Sequence, residues 1–502
     1  MTATREFPFH PAGEYAVCQL SAADISFIPT AVWNPSPSTN HRTAPYELPH
    51  ELEIGIFGNS ESAAKFSPPP YAVVVENENR RAALVIAADP GHHLWNQSVF
   101  SARRDGSVTI SADLEGHSSP AETARHMKVL VITASASEPR VDILDAGLRA
   151  AYPATRTGAR RLPDWWHRPI YCGWGDQVST SLWLEGPGLE ARALAYCTQG
   201  LYERWLGRLD EIGVPVGTVI IDSGWSPAGS WETDTTRWPD LPGFISRQHE
   251  QGRRVLLWIA TWLWDGLPDD WCVFADDIKL TADPTHPSYR AFIENRVHEL
   301  LSPDHIDADG FKIDQLAYSP CERRPRGGAR FGATSYYDAP EKPIAVTGDG
   351  WGCELLYKLQ KHIYSAAKRA KADALITSST VHPYFHDTFD MIRLHDTGLV
   401  TGDVLDAMKL RADLAKAALP AKPIDTDDWV HSDYDRWLEY TVRSRTLGVP
   451  CLFYAERFVQ DSKKPPLTKL IPEADLATVA DAWSNSAQVF SGGHVHVPPS
   501  GH

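Results

Sequence analysis

Two short runs carry the side chains best suited to chemistry: Gly310-Phe311-Lys312-Ile313-Asp314-Gln315 and Met391-Ile392-Arg393-Leu394-His395-Asp396. In an extended strand alternate side chains share a face, so Lys312 and Asp314 point one way while Phe311 and Ile313 point the other. A lysine and a carboxylate withdrawn together from water need partners, and the pair reads equally well as a structural ion pair or a reactive one. In the reactive reading, Asp314 is kept ionised by the cation beside it and suits a nucleophile. Asp396, flanked by His395, suits an acid that protonates a leaving oxygen and then activates water. Arg393 then contacts substrate or nucleophile. Lys312 also admits a different chemistry, a Schiff base of the aldolase type.

Residues 161–456 alternate apolar strands with segments apolar at helical spacing, the pattern of βα units on a parallel sheet. Strands are expected at 170–176, 217–225, 254–262, 309–315, 373–380, 390–396, 422–428 and 449–456. Eight such units predict an α/β fold, a (β/α)8 TIM barrel with its site at the C-terminal strand ends. The link VHPYFHDTF between the fifth and sixth strands is too short for a crossover helix, and a long segment with little helical pattern follows the fourth. Residues 1–160 read as an N-terminal antiparallel β-sandwich domain, with YAVVVE, RAALVIAA, SVTISADLE and MKVLVITA as strands. Within it, His92-His93 reads as a surface loop rather than a metal site. Residues 457–502 read as a C-terminal helix and tail, whose HVHV is read as terminus rather than ligand set.

Collected by strand, the expected ends bear Asp176, Asp222 with Trp225, Trp258, Lys312 with Asp314, Arg393 with Asp396, and Asp427 with Asp428. Acids at five of eight ends exceed what stability requires, because an unpaired buried carboxylate is expensive. The chain has 18 tryptophans, many of them between residues 165 and 264. Each is more often core than ligand platform, but acids that accept hydroxyl hydrogen bonds beside broad indole faces suit a sugar. Paired carboxyls on either side of a scissile bond are the requirement of glycoside cleavage, and the fourth and sixth strands can supply them.

The remaining composition narrows the partners. A net charge of −16 argues against nucleic acid and against an anionic membrane surface. No spaced ligand set calls for a metal, and no cofactor is expected. Seven scattered cysteines are read as reduced thiols, and without a leader or an 18-residue apolar run a cytoplasmic protein is expected. A homo-oligomer is compatible with these features.

The motifs VIIDSGW followed by WETD, RWPDLPGFISRQHEQGRRVLLWIA, DGFKIDQ and MIRLHDT resemble those of the retaining α-glycosidases of glycoside hydrolase clan D. That clan includes α-galactosidases, raffinose-synthase-like proteins and α-glucosidase-type families. The resemblance runs from about Tyr171 to Tyr454, with DGFKID the most specific motif. It implies a retaining, exo-acting α-glycoside hydrolase working on a small oligosaccharide, with transglycosylation as a second outcome of the same intermediate. Asp314 is implied as nucleophile and Asp396 as acid/base. Asp222, Lys312 and Arg393 are implied as substrate contacts, and Asp427 and Asp428 as weaker ones; Asp176, Trp225 and Trp258 join them as candidates. Many α-galactosidases of the clan carry a second acid where this chain has Ser223, which weakens a galactose reading. From the sequence, the clan's common C-terminal β-sandwich is expected to be missing or reduced to a fragment. Arg323, Arg324, Arg326 and Arg330 read as a solvated run or as readers of an acidic sugar substituent.

Overall fold

In the strands Ala72–Glu76, Arg80–Ala88 and Met127–Ser135 apolar side chains succeed one another instead of alternating with polar ones, the pattern of strands covered on both faces. In the computed structural model, alternate residues divide between two cores. Val73, Val75, Leu84, Ile86, Val129 and Val131 meet Cys18, Phe100 and Ile110 of a second sheet. Val74, Val85, Leu130 and Ile132 face the helix Arg140–Ala151 and join the core of the rest of the chain. That helix lies so close that a Cβ on Gly147 would come 2.8 Å from Val85 Cγ2. The two sheets, six- and five-stranded and antiparallel throughout, fit the expected sandwich. The structure describes residues 3–35, 46–47, 52–54, 69–103, 105–156, 161–188, 192–260, 262–316, 319–320, 342–394, 403–429 and 433–484.

Eight parallel strands follow in the expected order: β1 (Ile170–Cys172), β2 (Thr218–Ile221), β3 (Arg254–Ala260), β4 (Gly310–Asp314), β5 (Leu375–Ser378), β6 (Met391–Arg393), β7 (Ile424–Asp425) and β8 (Cys451–Leu452). Neighbours in sequence pair from β1 to β7, β8 pairs β1, and a bridge between Asp425 and Val449 brings the two edges together into a nearly closed barrel. The start of β4 requires its glycine. Gly310 has φ +149°, and a Cβ there would lie 1.9 Å from the Leu375 carbonyl oxygen.

Outside the barrel strands lie α1 (Trp174–Glu185), α2 (Gln199–Ile212), α3 (Leu241–Glu250), α4 (Pro287–Leu301), α5 (Gly352–Ala370), α6 (Val404–Ala418), α7 (Tyr434–Arg443) and α8 (Glu473–Ser484). Between β5 and β6 only a 3-10 turn, Pro383–Phe385, makes the connection, as the short link predicts. A hairpin not anticipated from sequence, Cys272–Ala275 with Ile278–Ala282, follows β3 and packs on Ile344 and Trp351. After the barrel, a two-stranded hairpin (Arg457–Val459 with Thr468–Leu470) leads to α8, anchored by Trp483 Nε1 donating to the Thr441 carbonyl at 3.0 Å. Among the described residues no helix is long and apolar enough to cross a membrane.

Several expected strands are shorter than the sequence suggests. β1 stops at Cys172 because Gly173 opens a helix, where any side chain would strike the ring of Tyr202. β7 is two residues long, and Asp427 takes a positive φ of 44°. His93 is fully buried and stacked 3.7 Å from the Tyr384 ring, so the surface-loop reading of His92-His93 is corrected for that residue.

Candidate functional site

β4 sends Phe311 and Ile313 outward into the main core, and Lys312 and Asp314 to the inside of the barrel. Inside, the two charges find different partners. Lys312 Nζ donates to Asp222 Oδ2 at 2.7 Å, immediately after β2. Arg393 on β6 donates from Nη2 to Asp314 Oδ1 at 2.9 Å and from Nη1 to Asp427 Oδ2 at 2.7 Å. The other Asp314 oxygen accepts from Trp258 Nε1 on β3 at 3.1 Å. The expected Lys312–Asp314 pair is thus opened into two pairs, and three strands, β3, β4 and β6, fix the orientation of the nucleophile candidate.

These partners decide the charge states. Burial pushes the Asp314 carboxyl upward, but the Arg393 guanidinium, then the Lys312 ammonium and the indole hydrogen bond, outweigh it and hold the group below its usual range. Burial opposes charge on Lys312, yet the Asp222 carboxylate keeps its ammonium pKa well above normal. The Asp314 side chain keeps 13% of its surface exposed, against 4% for Lys312 and 2% for Arg393. Of these three charged groups Asp314, an acceptor through both oxygens, is the most exposed.

Other residues singled out from the sequence sit behind the barrel wall. Asp176 is in the first turn of α1, wholly buried, and accepts from Tyr171 Oη at 2.8 Å, the Ala455 amide at 2.5 Å and the Glu456 amide at 3.1 Å. Its carboxyl ties β1 to the chain beyond β8, and burial pushes its pKa up to about 7. Asp428 is buried and accepts from Trp437 Nε1 at 3.0 Å and Thr441 Oγ1 at 2.9 Å; burial raises its pKa well above normal. Trp225 is buried with its indole nitrogen donating to the Trp258 carbonyl at 2.8 Å. Each of these three side chains is turned into the protein and makes its hydrogen bonds there. Asp396, the acid/base candidate, lies outside the described residues, as do Arg323, Arg324, Arg326, Arg330 and the HVHV tail.

The structure adds residues the sequence reading did not rank. Asp425, last in β7, is 1% exposed; its Oδ1 accepts from the Asp427 amide at 3.0 Å, and its Oδ2 meets no hydrogen-bond partner among the described residues. Burial, and then the charge of Asp427, push its pKa up to about 6. The signal in the sequence was a further acid at the start of IDTDD, two residues before the Asp427-Asp428 pair. Cys172 on β1 donates from Sγ to Asp222 Oδ2 at 3.1 Å and lies 3.5 Å from Lys312 Nζ. Among the described residues no cluster of His, Cys, Asp and Glu could hold a metal ion.

No protein-family model matches the chain, and no curated protein does. Solved structures do. The cycloalternan-degrading enzyme from Trueperella pyogenes superposes over 95% of this chain and 67% of its own, with 14% identity and a TM-score of 0.59. An α-galactosidase from Thermus thermophilus in complex with stachyose covers 96% of both chains at 14% identity and a TM-score of 0.54. A GH31 sulfoquinovosidase from E. rectale covers 95% of this chain and 69% of its own at 11% identity and a TM-score of 0.56. At these identities the likeness speaks for the fold, and over almost its whole length this chain is folded like enzymes that act on α-linked sugars.

Proposed function

We propose that the protein is a retaining, exo-acting α-glycoside hydrolase that acts in the cytoplasm on the terminal sugar of a small oligosaccharide. The observation that carries the reading is Asp314: an ionised carboxylate at the C-terminal end of a central barrel strand, oriented through both oxygens by Arg393 and Trp258 and still open to the mouth. Its Oδ attacks the anomeric carbon, the glycosidic C–O bond breaks, and the leaving oxygen takes a proton from the acid, a role we assign to Asp396. Water then gives its proton to that residue and attacks the same carbon, which frees the Asp314 carboxylate. A second sugar in place of water makes the same intermediate a transglycosylation donor. Arg393 keeps the nucleophile ionised, and Asp222 with Lys312 offers sugar hydroxyls an acceptor and a donor.

A Schiff base at Lys312 is disfavoured. That chemistry needs a neutral amine, whereas Asp222 holds the Lys312 ammonium in its charged form. The test is a panel of α-glycosyl fluorides with a second fluorine on the ring, each differing at one hydroxyl, followed by peptide mass mapping. A glycosyl adduct on Asp314 is expected. In a parallel incubation with a reducing sugar and borohydride, label trapped on Lys312, with no adduct on Asp314, would overturn the reading.

A further inference from the structure

The chain leaves β4 through a turn that a non-glycine residue does not favour: Gln315 has φ +61°. Such a conformation persists when its surroundings hold it, and the holding groups come from two places. Trp262 Nε1, just past β3, donates to the Leu316 carbonyl at 2.9 Å. The next restraint comes from the N-terminal sheets. Asn96, 1% exposed at the start of the strand Gln97–Ala102, donates from Nδ2 to the Pro320 carbonyl at 2.8 Å, and its Oδ1 accepts from Ser319 Oγ at 3.0 Å. The same Nδ2 donates to Glu115 Oε2 at 3.1 Å, and that oxygen also accepts from Trp351 Nε1 at 2.9 Å.

Trp351 stands at the head of α5, the next helix of the barrel, and that helix is seated on the same segment. Its first amides, Cys353 and Glu354, donate to the carbonyls of Trp95 at 3.0 Å and His93 at 2.8 Å. Gly352 is pressed so near that a Cβ would lie 2.3 Å from the Trp95 carbonyl carbon. His93–Asn96 and Glu115 therefore clasp both the exit from the nucleophile strand and the entry to the helix after it.

We propose that Asn96 is a positioning residue for Asp314, acting through Ser319 and Pro320, and that the N-terminal sheets are thereby part of the reactive unit. This rests on the reading of Asp314 as nucleophile. An amide suits the place because it must present donors to Pro320 and Glu115 and an acceptor to Ser319. Aspartate of the same size has no donor and sets a second carboxylate against Glu115.

The test compares Asn96→Asp, Ser319→Ala and the double variant with wild type. It reads kcat and KM on an aryl α-glycoside that wild type cleaves, and amide hydrogen exchange of the peptide spanning Gly310–Leu316. For Asn96→Asp we expect kcat to fall by about tenfold to a hundredfold with KM within about twofold, because a misplaced reacting group loses rate more than affinity. The Gly310–Leu316 peptide should exchange faster while the far-UV spectrum is unchanged. Ser319→Ala, which removes one hydroxyl and tests the clasp should Asn96→Asp not fold, should do the same more weakly. The two effects on kcat should combine to less than their product. Lower thermal stability alone, with exchange and kcat as in wild type, would overturn the proposal. Should wild type cleave no α-glycoside, faster exchange in either variant upholds the clasp while the hydrolase reading falls; unchanged exchange removes the clasp whatever the activity.

Discussion

Strand β4 has an aspartate at each end, both buried among cations, and the two are put to opposite uses. Asp309, just before the strand, accepts from His249 Nε2 at 2.7 Å, the Val255 amide at 2.8 Å, Arg254 Nη1 at 3.2 Å and Lys371 Nζ at 3.4 Å. Both oxygens are consumed and 2% of its side chain is exposed. Asp314 has a guanidinium and an indole, and 13% of its side chain stays open. Burial raises both carboxyls and is overruled in both, at Asp309 by the His249 hydrogen bond and then the Lys371 charge, at Asp314 by the Arg393 and then the Lys312 charge, so their pKa values fall below the ordinary range alike. A depressed pKa therefore does not distinguish structural from reactive acid. What distinguishes them is place and exposure: Asp314 lies at the C-terminal barrel face, where catalytic groups of this architecture gather, with 13% of its side chain exposed against 2% for Asp309.

The sharpest way to break this contrast is to neutralise each acid in turn. Asp314→Asn should lower turnover of α-glycosides by roughly 10³-fold or more, with the far-UV spectrum unchanged. Near-normal turnover would remove it from the nucleophile role. Asp309→Asn should lower the unfolding free energy by about 3–5 kcal/mol by stranding buried cations, with kcat within about twofold once folded. Denaturant titration and steady-state kinetics at 20 °C measure both halves.

The pH dependence separates the cation-paired acids from those satisfied by neutral donors. Asp309 and Asp314 have folded pKa values below the unfolded ~3.9, so their stabilisation is present above that pH and is lost as pH falls through the folded values. Asp176 has the opposite sign. With a folded pKa of about 7 it binds more proton folded than unfolded, so its contribution falls as pH rises from ~4 to ~7. The stability difference between wild type and Asp176→Asn should shrink over that window by an amount on the order of 4 kcal/mol. A pH-independent difference would show that Asp176 is ionised throughout.

The smallest effect should come from Trp258→Phe, which removes one hydrogen bond to the ionised form of Asp314. The acid limb of the kcat/KM profile should move to higher pH, and kcat should fall about tenfold. An unmoved acid limb would assign that limb to another group.

How much of this was legible in the residues depended on whether the information was local. Alternation in GFKID put Lys312 and Asp314 on one face, and the apolar runs marked all eight strands in order, because period and length are properties of neighbouring residues. Asp176 looked like a strand-end acid only if β1 continued through Gly173, and it does not. Trp225 and Asp428 read as ligand groups, and their hydrogen-bond partners, 33 and 9 to 13 residues away in the chain, leave no local pattern.

By itself, the sequence determined the barrel, the sheets before it, and the placing of an acid and a cation on one face of β4, since these follow from local periodicity and side-chain chemistry. Only the tertiary structure decided which charge answers which. Lys312 turns to Asp222 and Asp314 to Arg393 because barrel closure sets the distances between strands, and in a buried group the nearest opposite charge prevails over the nearest in sequence. The same closure decided that Asn96, more than 200 residues upstream, meets the loop after Asp314.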